Sequence, residues 1–241
     1  MKKSYKTEFH VHTRYSKDSL QLFILMLLMC KLRGIDTLVV TDHDEVAGAL
    51  RYKKGFRKHG VEIIVGEEIF SADGEIIGIN LKSRIEPGLS GAETIRRIRE
   101  QEGVVYVPHP YDEMRKRTVL DEKIIEDFSH DIDLIEVHNG RNREKAYDVK
   151  QNELAEKYGI KKIIGGDSHT FFELGRNVVL TERPIRSRLK VADLHDARFK
   201  CKDFLPMAIT CTRVAKAVKL ILRGDFYGLF RALNKKITGR G

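Results

Sequence analysis

The sequence holds 241 residues, 41% hydrophobic and 33% charged, enough apolar material for one sizeable core and too much for a disordered chain. Its three cysteines (Cys30, Cys201, Cys211) lie far apart without a CxxC pair, and the N-terminus reads as no secretory signal. This argues against a disulfide framework or zinc ribbon and predicts a reducing, cytoplasmic setting. The formal charge of +9 is concentrated in the tail, where eight basic residues and one acid, Asp225, lie from Arg213 onward.

In chain order, β-branched runs at residues 8–11, 37–41, 61–65, 104–107, 134–137 and 163–165 alternate with helical patterns at 20–32, 46–58, 91–101, 122–128 and 144–158. That alternation predicts parallel βα units. Glycines 34, 60, 103 and 159 suit helix C-caps. The apolar run 20–29 is broken by Gln21 and closed by Lys31 and Arg33. It is shorter than the roughly 20 residues that span a bilayer and reads as a buried helix. Residues 68–82 alternate around Asp73-Gly74, the pattern of an inserted hairpin. Past Thr181 no further strand is evident: residues 191–199 are weakly helical, and 214–222 and 226–233 read as amphipathic helices. The expected division is a barrel over residues 1–200 and a basic helical extension over 201–241, packed on the barrel or projecting from it.

Chemistry gathers at the strand ends. His10 and His12 close the first run, Asp42, His43 and Asp44 the second, Glu67 and Glu68 the third; His109, then Glu136 with His138, then Asp167 with His169 close the others. In a parallel barrel these ends converge on one rim, where barrel enzymes place their active sites. Residues two apart on a strand share a face, so three i, i+2 pairs can each aim two donors at one ion. Any one histidine is more simply a hydrogen-bonded core residue, and Asp42 or Asp44 alone is an ordinary helix N-cap. Accumulating so many charged groups at buried strand ends, however, costs several kcal/mol each unless ions offset them. Imidazole and carboxylate without thiolate suit zinc, manganese or iron.

The segments His10-Val11-His12-Thr13 with Asp18, Thr41-Asp42-His43, Gly66-Glu67-Glu68, Pro108-His109-Pro110, Glu136-Val137-His138-Asn139 and Gly166-Asp167-Ser168-His169 resemble, in order and spacing, the motifs of the polymerase and histidinol phosphatase (PHP) superfamily. The resemblance implies an α/β fold, a distorted seven-stranded (β/α) barrel, with two or three divalent ions in a rim cleft. One ion would take His10, His12, Glu68 and Asp167. Glu68, selected over Glu67 by the family's G-x-E spacing, would bridge to a second ion that also takes His109, with His138 as a further ligand and Glu136 as the fallback or as a partner that orients a ligand. A third would take Asp18, His43 and His169.

The activity implied is hydrolysis of a phosphate ester of a small metabolite or nucleotide by a metal-bridging hydroxide, with His43 or His169 moving the leaving-group proton when the third site is empty. Arg141, just past a strand end, is the leading phosphate anchor, followed by Arg143 and Arg176 and then by Lys17 and Arg14. The basic tail offers a surface to a polynucleotide backbone or an anionic membrane. Two alternatives stand beside the phosphatase: an exonuclease-like phosphodiesterase on oligonucleotides, and a non-catalytic PHP-like binding module.

Overall fold

The expected apolar runs pair side by side. β1 (Tyr5–Val11), β2 (Thr37–His43) and β3 (Glu62–Ser71) form parallel ladders that set His43 level with Glu68. β4 (Gly74–Ile79) returns antiparallel from β3, and β5 (Val104–Val107) pairs antiparallel with β4, so it again runs with β1 to β3. β6 (Leu134–Asn139) and β7 (Lys161–Gly165) continue in parallel. The chain just past β7 then meets β1: Gly166 N–H donates to the Phe9 carbonyl at 2.8 Å and His12 N–H to the Ser168 carbonyl at 3.0 Å. These bonds bring the seventh strand round to the first, giving a barrel of seven staves. This computed structural model describes residues 4–112, 115, 117–228 and 230.

Two strands extend the sheet beyond the expected set. β8 (Val178–Thr181) lies antiparallel on the first half of β1, and β9 (Arg198–Lys200) pairs with β8, giving a nine-stranded sheet. Their lengths of four and three residues, the latter fully exposed, leave little hydrophobic periodicity to read. In place of the weak helix expected at 191–199 there is one 3-10 turn at Val191–Leu194, followed by β9.

Helices α1 (Phe23–Arg33), α2 (Ala47–Lys58), α3 (Gly91–Glu100), α4 (Glu122–Asp127) and α5 (Lys145–Tyr158) connect the staves. Gly34 and Gly159 close α1 and α5 in the left-handed conformation, while after α3 it is Glu102, at φ 57°, that takes this role and not Gly103. α1 is not the buried helix expected: it buries Met26 and Cys30 but exposes Ile24, Leu28 and Leu32. α6 (Pro206–Leu222) begins eight residues before the helix expected at 214 and lies on the rim, where Ala208 and Ala215 are buried. Arg141 Nη2 donates to Thr212 Oγ1 at 2.7 Å, and Lys219 Nζ to the Arg14 carbonyl at 2.6 Å. Of the second expected tail helix, Leu229 and residues 231–233 lie outside the described residues, as do the basic residues Arg231, Lys235, Lys236 and Arg240. Among the described residues no helix is long and apolar enough to cross a membrane.

Gly66 shows how tightly the staves around the third strand fit. A Cβ there would meet the Gly78 carbonyl oxygen at 2.9 Å and the Val40 carbonyl oxygen at 3.1 Å, so only glycine lets β2 and β4 flank β3 at this level. Gly66→Ala is expected to cost about 1–3 kcal/mol by overpacking, read as a lower denaturant midpoint at unchanged slope.

Candidate metal centre

Irregular backbone, as much as the strands, aims the donors. Between Glu8 and Val11 the β1–β2 register slips, and His10 adopts a left-handed φ of 62°. Glu8 then turns to Ser168 Oγ at 2.6 Å, while His10 and His12 face each other with ring centroids 5.2 Å apart. His109, just past β5, and Asp167, just past β7, also have positive φ, 31° and 48°. Each such residue costs about 1–3 kcal/mol and persists only where its surroundings fix it.

These side chains converge on Glu68. His10 Nε2 lies 3.2 Å and His109 Nε2 3.1 Å from Glu68 Oε1, and His43 Nδ1 3.1 Å and His12 Nε2 3.3 Å from Oε2. Asp167 Oδ1 faces His12 Nε2 at 3.5 Å and His169 Nδ1 at 3.3 Å. Asp18 stands between His169 Nε2 at 3.2 Å and His43 Nε2 at 3.5 Å. The donor atoms group as His10, His12 and Asp167; His10, Glu68 and His109; His43, Glu68 and Glu75; and His12, His43 and His169, each set within 4.8 Å.

Burial makes these contacts costly as they stand. His10 Nε2, both nitrogens of His12, His43 Nδ1, Glu68 Oε2 and Asp167 Oδ1 are buried without a hydrogen-bond partner, and such atoms are rare without a bound ion or water. The local fields agree. Burial and the neighbouring His169 hold His12 well below the usual imidazole range. Against burial, the carboxylates of Glu68 and Asp18 raise His43 to about 9, and Glu68 and Asp167 raise His10. Also against burial, His10 and His43 hold Glu68 well below the carboxylate range, whereas burial and the Glu68 charge raise Glu75. Protonated imidazoles thus neutralise the carboxylates where divalent ions would do so, and the donor set fits such ions.

Glu136 and His138 part company. One extra residue enters β6 between them, opposite Ile163 and Ile164 of β7, and a bulge of this kind puts i and i+2 on different faces. Glu136 turns inward, accepting from His109 N–H at 2.6 Å and Asn139 Nδ2 at 2.9 Å, and from the Tyr106 hydroxyl and His10 Nδ1. Both of its oxygens are engaged, so it orients His10 with Nε2 toward Glu68. His138 faces Asp148 at 2.7 Å and Asn177 at 3.2 Å, outside the cluster. The expectation that His138 completes the second site therefore does not match its position.

Two residues were missed. Glu75, at the start of β4, faces His43 at 3.6 Å and His109 at 3.5 Å. Because β4 runs against its neighbours, its first residues lie at the rim where the others end; the signal was a lone acid in the run GEIIGI. Arg115 binds Asp167 and, at 2.8 Å, Asp112, and no sequence pattern marks it. Arg141, the expected phosphate anchor, is committed elsewhere: it pairs with buried Glu173 at 2.9 Å, and Glu173 in turn accepts from the backbone of His169 at 3.0 Å and Thr170 at 2.9 Å. Arg143 lies over Phe204, Arg176 donates to the Asp203 carbonyl at 2.8 Å, Lys17 lies 3.9 Å from Asp44, and Arg14 is exposed over Tyr15.

A barrel with a buried histidine–carboxylate bowl at one rim defines the class of this protein. The chain belongs to the PHP domain family, whose profile matches residues 8–189. It is 37% identical over 149 residues to an uncharacterized protein of Methanocaldococcus jannaschii, covering 58% of this chain and 84% of that one. A second uncharacterized protein of the same organism is 33% identical over 172 residues, 70% of this chain and 68% of the relative. Among solved structures, a two-domain protein of Bacteroides vulgatus containing a predicted PHP-like metal-dependent phosphoesterase superposes with a TM-score of 0.68 at 17% identity. That match covers 83% of this chain and 65% of the Bacteroides chain. PsfC from Pseudomonas syringae gives 0.60 at 20% identity, covering 91% and 99%. At these identities the structures show a shared fold.

Arg141→Met would leave the Glu173 carboxylate buried and unpaired beside the His169 loop. The expected cost is about 3–5 kcal/mol of stability, measured by denaturant unfolding, and not a selective loss of substrate affinity. Glu67, the outward twin of Glu68, accepts from Ile85 N–H at 2.9 Å, and burial raises it to about 8. The unfolded chain loses this proton near 4.5 and the folded one near 8, so the contribution is full below 4.5 and fades as pH rises through 8. Glu67→Gln keeps the acceptor for Ile85 and is expected to flatten that decline, making the variant the more stable form at about pH 8 in unfolding measurements across this range.

Proposed function

We propose that the protein is a metal-dependent phosphoric ester hydrolase acting on a small phosphorylated metabolite or nucleotide. The observation that carries this reading is the set of buried, mutually facing and unpartnered donor atoms around Glu68. Family membership supports hydrolase chemistry of the metal-dependent phosphoesterase type.

In this reading His10, His12, Asp167 and Glu68 would hold one divalent ion, and Glu68 and His109 would serve a second. Glu75, 3.5 Å from His109, would take the place that the family resemblance implies for His138. Asp18, His43 and His169 would hold a third. Nitrogen and oxygen donors without thiolate favour zinc, manganese or iron. Bound ions of this kind acidify water and neutralise charge that develops on phosphoryl oxygens.

The chain's own groups do the rest. With an ion at Nε2, the Glu136 carboxylate beside Nδ1 would keep the remaining imidazole proton of His10 there. His169 Nδ1 faces the Asp167 carbonyl at 2.9 Å, which leaves Nε2 free toward Asp18. When the third site is empty, His43 or His169 passes a proton from its Nε2 to the leaving oxygen. Arg115, poised on Asp167 at the cluster's edge, is the side chain best placed to meet the phosphate, in place of Arg141, which is paired with Glu173. A hollow of about 900 Å³ beside it, walled by Phe70, Tyr111 and Arg117, has room for the leaving group.

Purified protein is expected to contain zinc, manganese or iron and to hydrolyse at least one member of a panel of phosphomonoesters, nucleoside bisphosphates and short oligonucleotides with manganese added. Glu68→Gln should abolish that activity and lower metal content together. A metal-free, well-folded and inactive parent would favour the binding module, and cleavage confined to the oligonucleotides would favour the phosphodiesterase.

A further inference from the structure

The exposed aliphatic residues of α1 are unusual for a surface helix. Ile24, Leu28 and Leu32 recur every four residues, forming one stripe, and Ile24 and Leu32 are 68% and 70% exposed. The opposite side of the helix packs on the barrel, through buried Met26 and Cys30 and half-buried Phe23, Leu27 and Met29. Leu25 joins this stripe to α6, since it lines a hollow of about 310 Å³ together with Val214 and Phe172, with His169 on the same wall. Along α6 the aliphatic surface continues through Ile221 and Leu222, the latter 79% exposed. Contiguous apolar surface of this kind marks an interaction site.

Charge decides what covers it. Neither α1 nor α6 contains an acidic residue. Lys31 lies at the end of the α1 stripe, Arg213, Lys216 and Arg223 lie exposed along α6, and Arg14 and Arg51 line the neighbouring hollow with Leu22 and Ile24. Two copies brought together on this face would oppose like charges. A nucleic acid would satisfy the cations but leave the leucines and isoleucines, which offer bases no ring to stack on, without a partner. A bilayer with anionic lipids satisfies both, taking aliphatic side chains to the level of the acyl boundary and lysine and arginine at the headgroups.

We propose that the α1–α6 face docks on an anionic membrane surface, holding the barrel at the bilayer without crossing it. The surface borders the metal centre through His169 but does not depend on the reaction assigned there. Its α1 half lies within the segment matched by the family profile, residues 8–189, and its α6 half follows that segment.

The full-length protein should sediment with phosphatidylcholine vesicles containing phosphatidylserine, release at high salt, and stay in solution with phosphatidylcholine alone. The double substitution Ile24→Glu, Leu28→Glu is expected to lower the bound fraction about tenfold or more, and Lys216→Glu, Arg223→Glu to do the same, with circular dichroism unchanged in both. Absence of binding to the anionic vesicles, or binding that neither folded variant weakens, overturns the proposal. So does a stable dimer that Ile24→Glu, Leu28→Glu dissociates, or binding of a single-stranded oligonucleotide that outcompetes the vesicles.

Discussion

The organising constraint is electrostatic: Glu68, Asp167, Asp18 and Glu75 share one rim with five imidazoles, and Glu68 and Asp167 are fully buried there. Carboxylates so close cannot all ionise in a desolvated site without compensating positive charge. In the chain alone that charge comes from protonated His10 and His43 and from Arg115 on Asp167. Each of these is a group that an ion would displace or deprotonate, so metal affinity and proton release are linked at this site. The barrel's geometry follows from the same need, because it alone brings residues as distant in sequence as His10 and Asp167 to within 3.7 Å.

What the sequence made legible were features that act locally and repeat. The βα alternation fixed most stave and helix positions to within a few residues, and the Asp73-Gly74 turn located the hairpin. Donors at strand ends were legible for the same reason, since a parallel stave always ends at the same rim. Illegible features depended on a neighbour. His138 obeyed the alternation rule on paper, yet one residue of slip against β7 turned it outward to Asp148. Arg141 sat at a strand end like a true anchor, and only the fold supplied Glu173 to claim it. Glu75 needed knowledge of strand direction.

The supporting layer is as specific as the ligands. Glu136 spends both oxygens on Tyr106, Asn139, His109 and His10, and Glu173 ties the His169 loop to Arg141 and through it to α6. Gly165 lies so near Glu136 that a Cβ there would collide with the carboxylate. The rim is thus held from beneath by buried polar contacts that have no freedom to rearrange singly, which is what keeps donors at near-ligand distances.

The left-handed backbone at His10, His109 and Asp167 bears on how such a protein could age. Those conformations are a standing expense that folding alone does not require. In a lineage that abandoned the cluster's chemistry, glycine or asparagine at these three positions would be gained early, because relief of backbone strain would reward the loss of each donor. Retired relatives should therefore betray themselves at these positions before the barrel itself drifts. This chain keeps histidine or aspartate at all three left-handed positions.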